Sequence, residues 1–282
     1  MLKISDVDFV GGLREISRNF TVALDEKNGD YYGTDGLVYC GKCHTPKQCR
    51  VEIMGIECYP PCTCKCDEEE KKNFRNILAR NEIESNRKTA FDDIEMRNAF
   101  FENDNGRNPY ISNIARNYAK NFSEMYEKGK GFLFFGGTGV GKSWISACIL
   151  NDLINRGYKC MMTDFPTVIT IAGGLFEGKQ AYINSFCDYD LIVFDDLFTE
   201  RKTDYASEIV YNVINRRYRA ELPTIFTTNL TAEELKQTND DHRKKLLSRL
   251  YAMCEFIEVK GPDLRKEKMM KDHTYMKELL GI

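Results

Sequence analysis

The sequence predicts an α/β fold in which helices flank a parallel sheet, with a small cysteine-rich module ahead of it. Three observations support this prediction: a glycine-rich loop between a strand and a helix, an alternation of strands and helices after that loop, and clustered cysteines upstream. The 282 residues suffice for about two domains. We expect a metal-binding module over residues 1–70, a charged helical linker over 71–90 and a nucleotide-binding domain over 91–282.

The glycine-rich loop follows the apolar run that ends at Phe135. It reads Gly136, Gly137, Thr138, Gly139, Val140, Gly141, Lys142 and Ser143, which satisfies the pattern G-x-x-x-x-G-K-[ST]. Glycines allow successive backbone N–H groups to turn towards an anion, and the helix that begins near Trp144 adds its N-terminal dipole. We expect these nine residues to bind the nucleotide, with Lys142 on the β- and γ-phosphates and Ser143 on Mg²⁺.

The segments after the loop alternate between helix and strand. Because the strands are continuously apolar, both faces of the sheet should be covered. A helix over 111–128 should pack against the sheet. The later predicted helices cover 144–156, 165–176, 204–220, 232–236 and 242–252. The predicted strands cover 158–163, 190–194, 224–227 and, at an edge, 255–259.

Polar side chains follow two of these strands. The strand over 190–194 ends in Asp195 and Asp196, and adjacent carboxylates are stabilised by a divalent cation. We expect Asp195 to hold Mg²⁺ and Asp196 to orient the attacking water. The next strand ends at Asn229, whose amide could position water beside the γ-phosphate if the two strands are neighbours. As an alternative, Thr228 and Asn229 simply cap the following helix.

The cysteines cluster between residues 40 and 66. Cys40-x-x-Cys43 precedes a second group, Cys62, Cys64 and Cys66, at a spacing typical of structural zinc sites. Four of these five thiols should bind zinc, Cys40 and Cys43 among them, while Cys58 and His44 remain alternatives. A cluster of reduced cysteines without metal is the competing interpretation.

Composition excludes several classes of protein. The longest apolar runs span no more than five residues, too few to cross a bilayer, and the first residues lack the apolar core of a signal peptide, so we expect a cytoplasmic protein. The net charge of -3 requires any DNA contact to use a local basic patch. Arg216, Arg217 and Arg219, with Tyr218 between them, are the candidates for binding single-stranded DNA. Residues 1–30 show the apolar spacing of one amphipathic helix.

Taken together in order, the motifs resemble those of DnaC/DnaI-type replicative helicase loaders and IstB-type transposition ATPases. The resemblance rests on the phosphate-binding loop, the strand LIVFDD, the helix end NRRY, the strand PTIFTTN, and the sequences SRL and PDLR. It covers roughly residues 88–266. These families are AAA+ P-loop ATPases. By this resemblance, Arg249 of the present chain is similar to their arginine finger and Arg265 to their second sensor. The tail after Arg265 is expected to be too short for a full helical lid.

The resemblance implies slow ATP hydrolysis with Mg²⁺, stimulated by DNA or by a partner. It also implies contact with single-stranded DNA, self-association through the ATPase domain and delivery of a hexameric replicative helicase in DNA replication. The cysteine module favours loaders of bacteria or their phages and would contact the helicase. Two alternatives remain open at this point: an IstB-type transposition helper, and a zinc adaptor switched by nucleotide with negligible turnover.

Overall fold

The computed structural model describes residues 22–53, 55–199, 203–237 and 240–282. These residues form two compact units, divided between Asn81 and Glu82. The division falls within the long helix Lys65–Ala90. The domain boundaries expected at residues 70 and 90 therefore stay a prediction. The amphipathic pattern at Val10, Leu13, Ile16 and Phe20 lies outside the described residues.

The first unit is built from two short hairpins followed by a helix. Its strands are β1 (Tyr31–Tyr32), β2 (Val38–Tyr39), β3 (Val51–Ile53) and β4 (Ile56–Cys58), and it includes the part of helix α1 (Lys65–Ala90) that precedes Glu82. Both hairpins are antiparallel. Few apolar side chains are buried here, among them Val38. Because so small a core contributes little stability, the cysteines are the principal candidates for holding this unit together.

The second unit contains a five-stranded parallel sheet with helices on both faces. Its strands are β5 (Gly131–Phe135), β6 (Cys160–Asp164), β7 (Leu191–Asp195), β8 (Thr224–Thr228) and β9 (Cys254–Glu258). They lie in the order β6-β7-β8-β5-β9, so β7 and β8 are neighbours and β9 is at an edge. All pairs within this sheet are parallel, as the apolar strands predict.

The helices of the second unit follow the predicted alternation. They are α2 (Ile94–Arg97), α3 (Pro109–Lys120), α4 (Phe122–Glu127), α5 (Lys142–Asn155), α6 (Phe165–Gly174), α7 (Lys179–Ser185), α8 (Asp204–Arg219), α9 (Ala232–Lys236), α10 (Asp241–Met253) and α11 (Leu264–Leu280). Short 3-10 turns cover Phe101–Asn103 and Phe186–Asp188. Two buried clusters line the two faces of the sheet, one around α3 and α5, the other around α6, α8 and α10.

One prediction about the helices is wrong. The single helix expected over 111–128 is two helices, because the chain leaves helical geometry at Asn121, which caps the end of α3 and the start of α4. The tail after Arg265 continues a single helix, α11, which runs for 17 residues from Leu264, so the expectation that this tail is too short for a full helical lid stays a prediction. Its N-terminus is capped by Asp263, whose carboxylate accepts hydrogen bonds from two backbone N–H groups.

None of the helices in the described part of the chain combines the length and the apolar character that crossing a bilayer requires.

Candidate functional site

The phosphate-binding loop joins β5 to α5 at the carboxyl edge of the sheet. Gly136 must be glycine because a Cβ there would lie 2.4 Å from the carbonyl oxygen of Val259. Gly139 has a left-handed backbone, with φ +73°, which favours glycine. A Cβ at this position would also lie 1.9 Å from Asp263 Oδ1. The loop is therefore closely enclosed by the segment that leads into α11.

Lys142 is the charged residue of the loop, and its side chain is buried, with a relative exposure of 5%. Its ammonium Nζ donates to the carbonyl oxygens of Gly136 (2.9 Å) and Gly137 (2.6 Å) and to Oδ1 of Asn229 (2.8 Å). Burial lowers the pKa of Lys142 from its ordinary value, opposed by the nearby charges of Asp196 and Asp195. A partly desolvated cation held by neutral acceptors is poised to bind an anion.

Asp195 ends β7 directly opposite Ser143. Ser143 Oγ donates to Asp195 Oδ1 over 2.7 Å, and Thr227 Oγ1 on β8 donates to the same oxygen over 2.5 Å. Burial raises the pKa of Asp195, and the two hydroxyl donors oppose that shift. A hydroxyl and a carboxylate at this distance are the oxygen ligands that Mg²⁺ prefers. The residues present therefore fit a magnesium site.

Asp196 and Asn229 lie beside this pair. Asn229 Nδ2 donates to Asp196 Oδ1 over 3.0 Å, while the backbone N–H of Asp196 donates to Thr227 Oγ1. Asp196 has a φ of +51°, an uncommon conformation for a residue other than glycine. Because β7 and β8 are neighbouring strands, Asp195, Asp196 and Asn229 lie together at the carboxyl edge of the sheet, which is the condition on which the prediction for Asn229 depended.

Two cavities adjoin the loop. One of about 820 Å³ is lined by Lys142, Ser143, Asp196, Asn229 and Arg265. The other, of about 420 Å³, meets the loop at Val140, Gly141 and Trp144. Its remaining wall, which sequence reasoning missed, is formed by polar side chains that precede α3 and by the segment after β9. These include Asn98, Asn103, Asp104, Asn105, Arg107, Asn108, Lys260 and Pro262.

The two predicted arginines occupy different places. Arg265 is exposed at the start of α11 and lines the same cavity as Lys142. Arg249 on α10 is half-buried away from that cavity. Its Nε donates to Asn215 Oδ1 over 2.8 Å, and its guanidinium lies 4.5 Å from the centre of the Tyr211 ring. Of these two arginines, Arg265 lines the cavity that contains Lys142 and Arg249 does not.

The prediction that Arg217 contacts DNA is wrong for this conformation. Its side chain is fully buried, and its guanidinium donates hydrogen bonds within the chain. Nε donates to Thr224 Oγ1 (2.8 Å), and the two terminal nitrogens donate to the carbonyl oxygens of Phe186 (2.6 Å), Tyr189 (3.0 Å) and Pro223 (2.6 Å). Arg216 is half-buried, and Arg219 is exposed next to the exposed Tyr218. These two arginines remain the candidates of the group.

Four cysteines of the first unit converge. The sulfurs of Cys40, Cys43, Cys64 and Cys66 all lie within 4.8 Å of one another. Cys40 and Cys66 are 3.5 Å apart, and Cys64 and Cys66 are 3.2 Å apart. Sulfurs bound to zinc at about 2.3 Å in a tetrahedron are separated by about 3.8 Å, so this set fits the ion.

Cys62, Cys58 and His44 do not join the cluster. Cys62 Sγ instead contacts the carbonyl oxygen of Pro46 at 3.3 Å. His44 Nδ1 is hydrogen-bonded to Tyr31, at the left-handed turn after Cys43. The Thr45 hydroxyl and backbone N–H groups lower the pKa of the Cys43 thiol to about 5, which favours the thiolate that binds metal.

Comparisons with known proteins place the chain in a family. Residues 119–272 match the family model for IstB-like ATP binding protein. The chain is 28% identical over 122 residues to the replicative helicase loader DnaI of Bacillus subtilis (strain 168), covering 42% of this chain and 39% of that protein. It is 26% identical over 125 residues to the replicative helicase loader DnaC of Escherichia coli (strain K12), covering 43% and 50%. It thus spans half or less of these relatives.

A solved structure supports the fold. The replication initiator DnaA bound to AMPPCP and single-stranded DNA superposes with a TM-score of 0.50 at 16% identity, covering 64% of this chain and 56% of that one. The parallel sheet and phosphate-binding loop are those of an AAA+ P-loop domain. Because the family model covers more than half of its residues, the chain belongs to the family of IstB-like ATP-binding proteins.

Proposed function

We propose that this chain is an ATP-dependent loader of a hexameric replicative helicase. The observation that carries the proposal is the convergence of Lys142, Ser143, Asp196 and Asn229 on one cavity, with Asp195 hydrogen-bonded to Ser143. This arrangement supplies an anion cradle, a cation site and a group for positioning water in one place. The similarity to the loaders DnaI and DnaC supports the choice of partner.

In this proposal ATP spans both cavities. The triphosphate lies on the loop with its β- and γ-phosphates at Lys142, and the base enters the 420 Å³ cavity beside Trp144. Mg²⁺, held by Ser143 and Asp195, would neutralise phosphate charge. Asn229 and Asp196 orient the water that attacks the γ-phosphate, and Arg265 approaches the phosphates from α11.

Arg249 acts on the site of a neighbouring copy. It lies outside its own cavity, and its partners Tyr211 and Asn215 hold the guanidinium on the surface of α8 and α10. A guanidinium supplied between subunits stabilises the charge of the transition state.

Mixing Lys142→Ala with Arg249→Ala subunits tests this role. Each variant alone should hydrolyse little ATP, and the mixture should recover turnover where an intact Arg249 meets an intact loop. A mixture as inactive as its components contradicts it.

The first unit would hold zinc through Cys40, Cys43, Cys64 and Cys66 and contact the helicase. Arg216 and Arg219, with Tyr218, are proposed to contact single-stranded DNA, which accounts for stimulation of a slow ATPase. Zinc here stabilises a fold and takes no part in hydrolysis.

Helicase loading is tested with the full chain and the purified replicative helicase of the same cell. We expect a stable complex in the presence of Mg²⁺ and ATP and its loss for Cys66→Ser, with Cys62→Ser as the matched control. The complex should deliver the helicase onto a single-stranded circle, measured by strand displacement. Filaments on duplex DNA without helicase binding would instead indicate a transposition helper. Binding without any ATP turnover would indicate a nucleotide-switched adaptor.

A further inference from the structure

A buried hydrogen-bond network joins the wall of the two cavities to the end of the long helix α1. Its centre is Asn151, in the middle of α5, the helix that begins with Lys142. Asn151 is fully buried. Its Nδ2 donates to the carbonyl oxygens of Met96 (3.0 Å) and Ala99 (2.8 Å), and its Oδ1 accepts from Arg87 Nε (3.0 Å). The amide therefore has a partner for each of its polar atoms.

Arg87 is the other half of this network. It is 6% exposed, in the last turn of α1. Besides Asn151, its guanidinium donates to Asn155 on α5 and to Glu84 on α1, and it lies 5.1 Å from the centre of the Phe100 ring. A charged group buried this deeply is stable only when its hydrogen-bond partners are in place. The hydrogen bonds of this network should therefore form or break together.

Of the two carbonyl groups that accept from Asn151, one belongs to Met96, which lines the larger cavity, and the other to Ala99, which directly follows Asn98 of the smaller cavity. Residues 93–98, including α2, contribute Glu95 to both cavities and Met96 to the larger one. Asn98 lines the smaller cavity and accepts at its carbonyl from Asn103, a further residue of that wall. A ligand that orders this wall therefore also orders the acceptors of Asn151 and, through Asn151, the guanidinium of Arg87.

We propose that Asn151 and Arg87 are positioning residues that couple occupancy of the nucleotide cavities to the order of the last turns of α1. The inference rests on the proposed function, since it requires that a nucleotide binds there. Neither side chain touches the ligand. Because coupling is reciprocal, ordering of α1 also strengthens nucleotide binding. The order of the last turns of α1, the helix that carries Cys66 near its start, thereby depends on whether nucleotide is bound.

Hydrogen exchange of the full chain, with and without Mg²⁺ and a non-hydrolysable ATP analogue, tests the coupling. In the wild type we expect the analogue to slow exchange in peptides covering the loop, residues 94–99 and residues 84–90, by about tenfold or more in the last of these. Arg87→Met should keep the protection of the loop and lose that of 84–90. Arg80→Met, the same change at an exposed position of α1, should behave as the wild type.

A second variant separates coupling from a general loss of structure. Asn151→Asp retains an acceptor for Arg87 but lacks the two N–H donors to Met96 and Ala99, so protection should reach the loop and residues 94–99 but not residues 84–90. If Arg87→Met does not fold, Arg87→Lys, which has no Nε–H donor, takes its place. Protection of the loop but not of 84–90 in the wild type overturns the coupling alone. Equal protection of 84–90 in Arg87→Met also overturns it. A wild type without protection even at the loop overturns nucleotide binding as well.

Discussion

Lys142 Nζ donates to Asn229 Oδ1 over 2.8 Å, which joins the first residue of α5 to the residue after β8. Asn229 in turn donates to Asp196. A bound phosphate would compete for the Lys142 ammonium and release one acceptor of that lysine. The Asn229 side chain would therefore lose its hydrogen bond from Lys142 when a γ-phosphate binds, while it keeps its hydrogen bond to Asp196.

Asn229→Ala should slow hydrolysis without weakening substrate binding, because we propose that the amide orients water and does not bind the ground-state nucleotide. We expect kcat to fall by about 100-fold and KM to change by less than about twofold in steady-state assays. Asn117→Ala, an exposed position on α3, is the matched control. A raised KM with unchanged kcat would show that Asn229 contributes only to binding.

Asp195→Asn should stabilise the nucleotide-free protein. Burial raises the pKa of Asp195, so the ionised carboxylate destabilises the fold at neutral pH. The amide keeps an oxygen to accept from Ser143 and Thr227 and carries no charge. We expect the variant to gain about 1 kcal/mol, or about 2–4 °C in Tm, by calorimetry at pH 7.

The pH dependence gives the sign of this effect. Between the ordinary pKa near 3.8 and its raised value, the folded protein binds more protons than the unfolded chain, so wild-type stability falls as pH rises through that window. The advantage of Asp195→Asn should therefore shrink as pH is lowered towards 4. An advantage that grows on acidification, or one shared by the exposed Asp92→Asn, would refute this explanation.

Cys66→Ser should abolish zinc binding, whereas Cys62→Ser should not. Cys66 lies in the four-sulfur cluster, and Cys62 instead contacts the carbonyl of Pro46. Elemental analysis of the purified full chain should find about one zinc per chain in the wild type and in Cys62→Ser. Loss of zinc in both variants, or in neither, would contradict the assignment of the four ligands.

Arg217→Met should destabilise the protein by about 3 kcal/mol, because it leaves the carbonyl groups of Phe186, Tyr189 and Pro223 without their buried donor. Urea unfolding measures this change, with the exposed Arg219→Met as control. If Arg217→Met unfolds at the wild-type midpoint and instead lowers the salt dependence of DNA binding, the arginine is available to DNA after all.

The sequence predicted those parts of the site whose residues are contiguous. The phosphate-binding loop and the acidic end of β7 each have a local signature, whereas the adjacency of β7 and β8 was only a condition of the prediction for Asn229 and is given by the structure. The sheet was predicted for the same reason, since its strands are short apolar runs between helices.

What escaped prediction depends on contacts between distant segments. The polar wall at Asn103 and Asn108 has no local signature, because it becomes a cavity only when α3 and the segment after β9 meet the loop. The choice among Cys62, Cys64 and Cys66 depends on the turn of the chain before α1. The burial of Arg217 did have a signal. It continues the buried stripe of α8 through Val210 and Val213.

ATP hydrolysis by Lys142→Ala tests the central claim most directly. Lys142 is the loop's buried cation, and Lys128, an exposed lysine paired with Glu124, offers a matched Lys128→Ala control. We predict Mg²⁺-dependent turnover in the wild type and in Lys128→Ala, and a loss of about 100-fold in Lys142→Ala, with the fold intact by circular dichroism. Turnover in Lys142→Ala equal to that of the control would contradict the assignment of this loop as the ATP site.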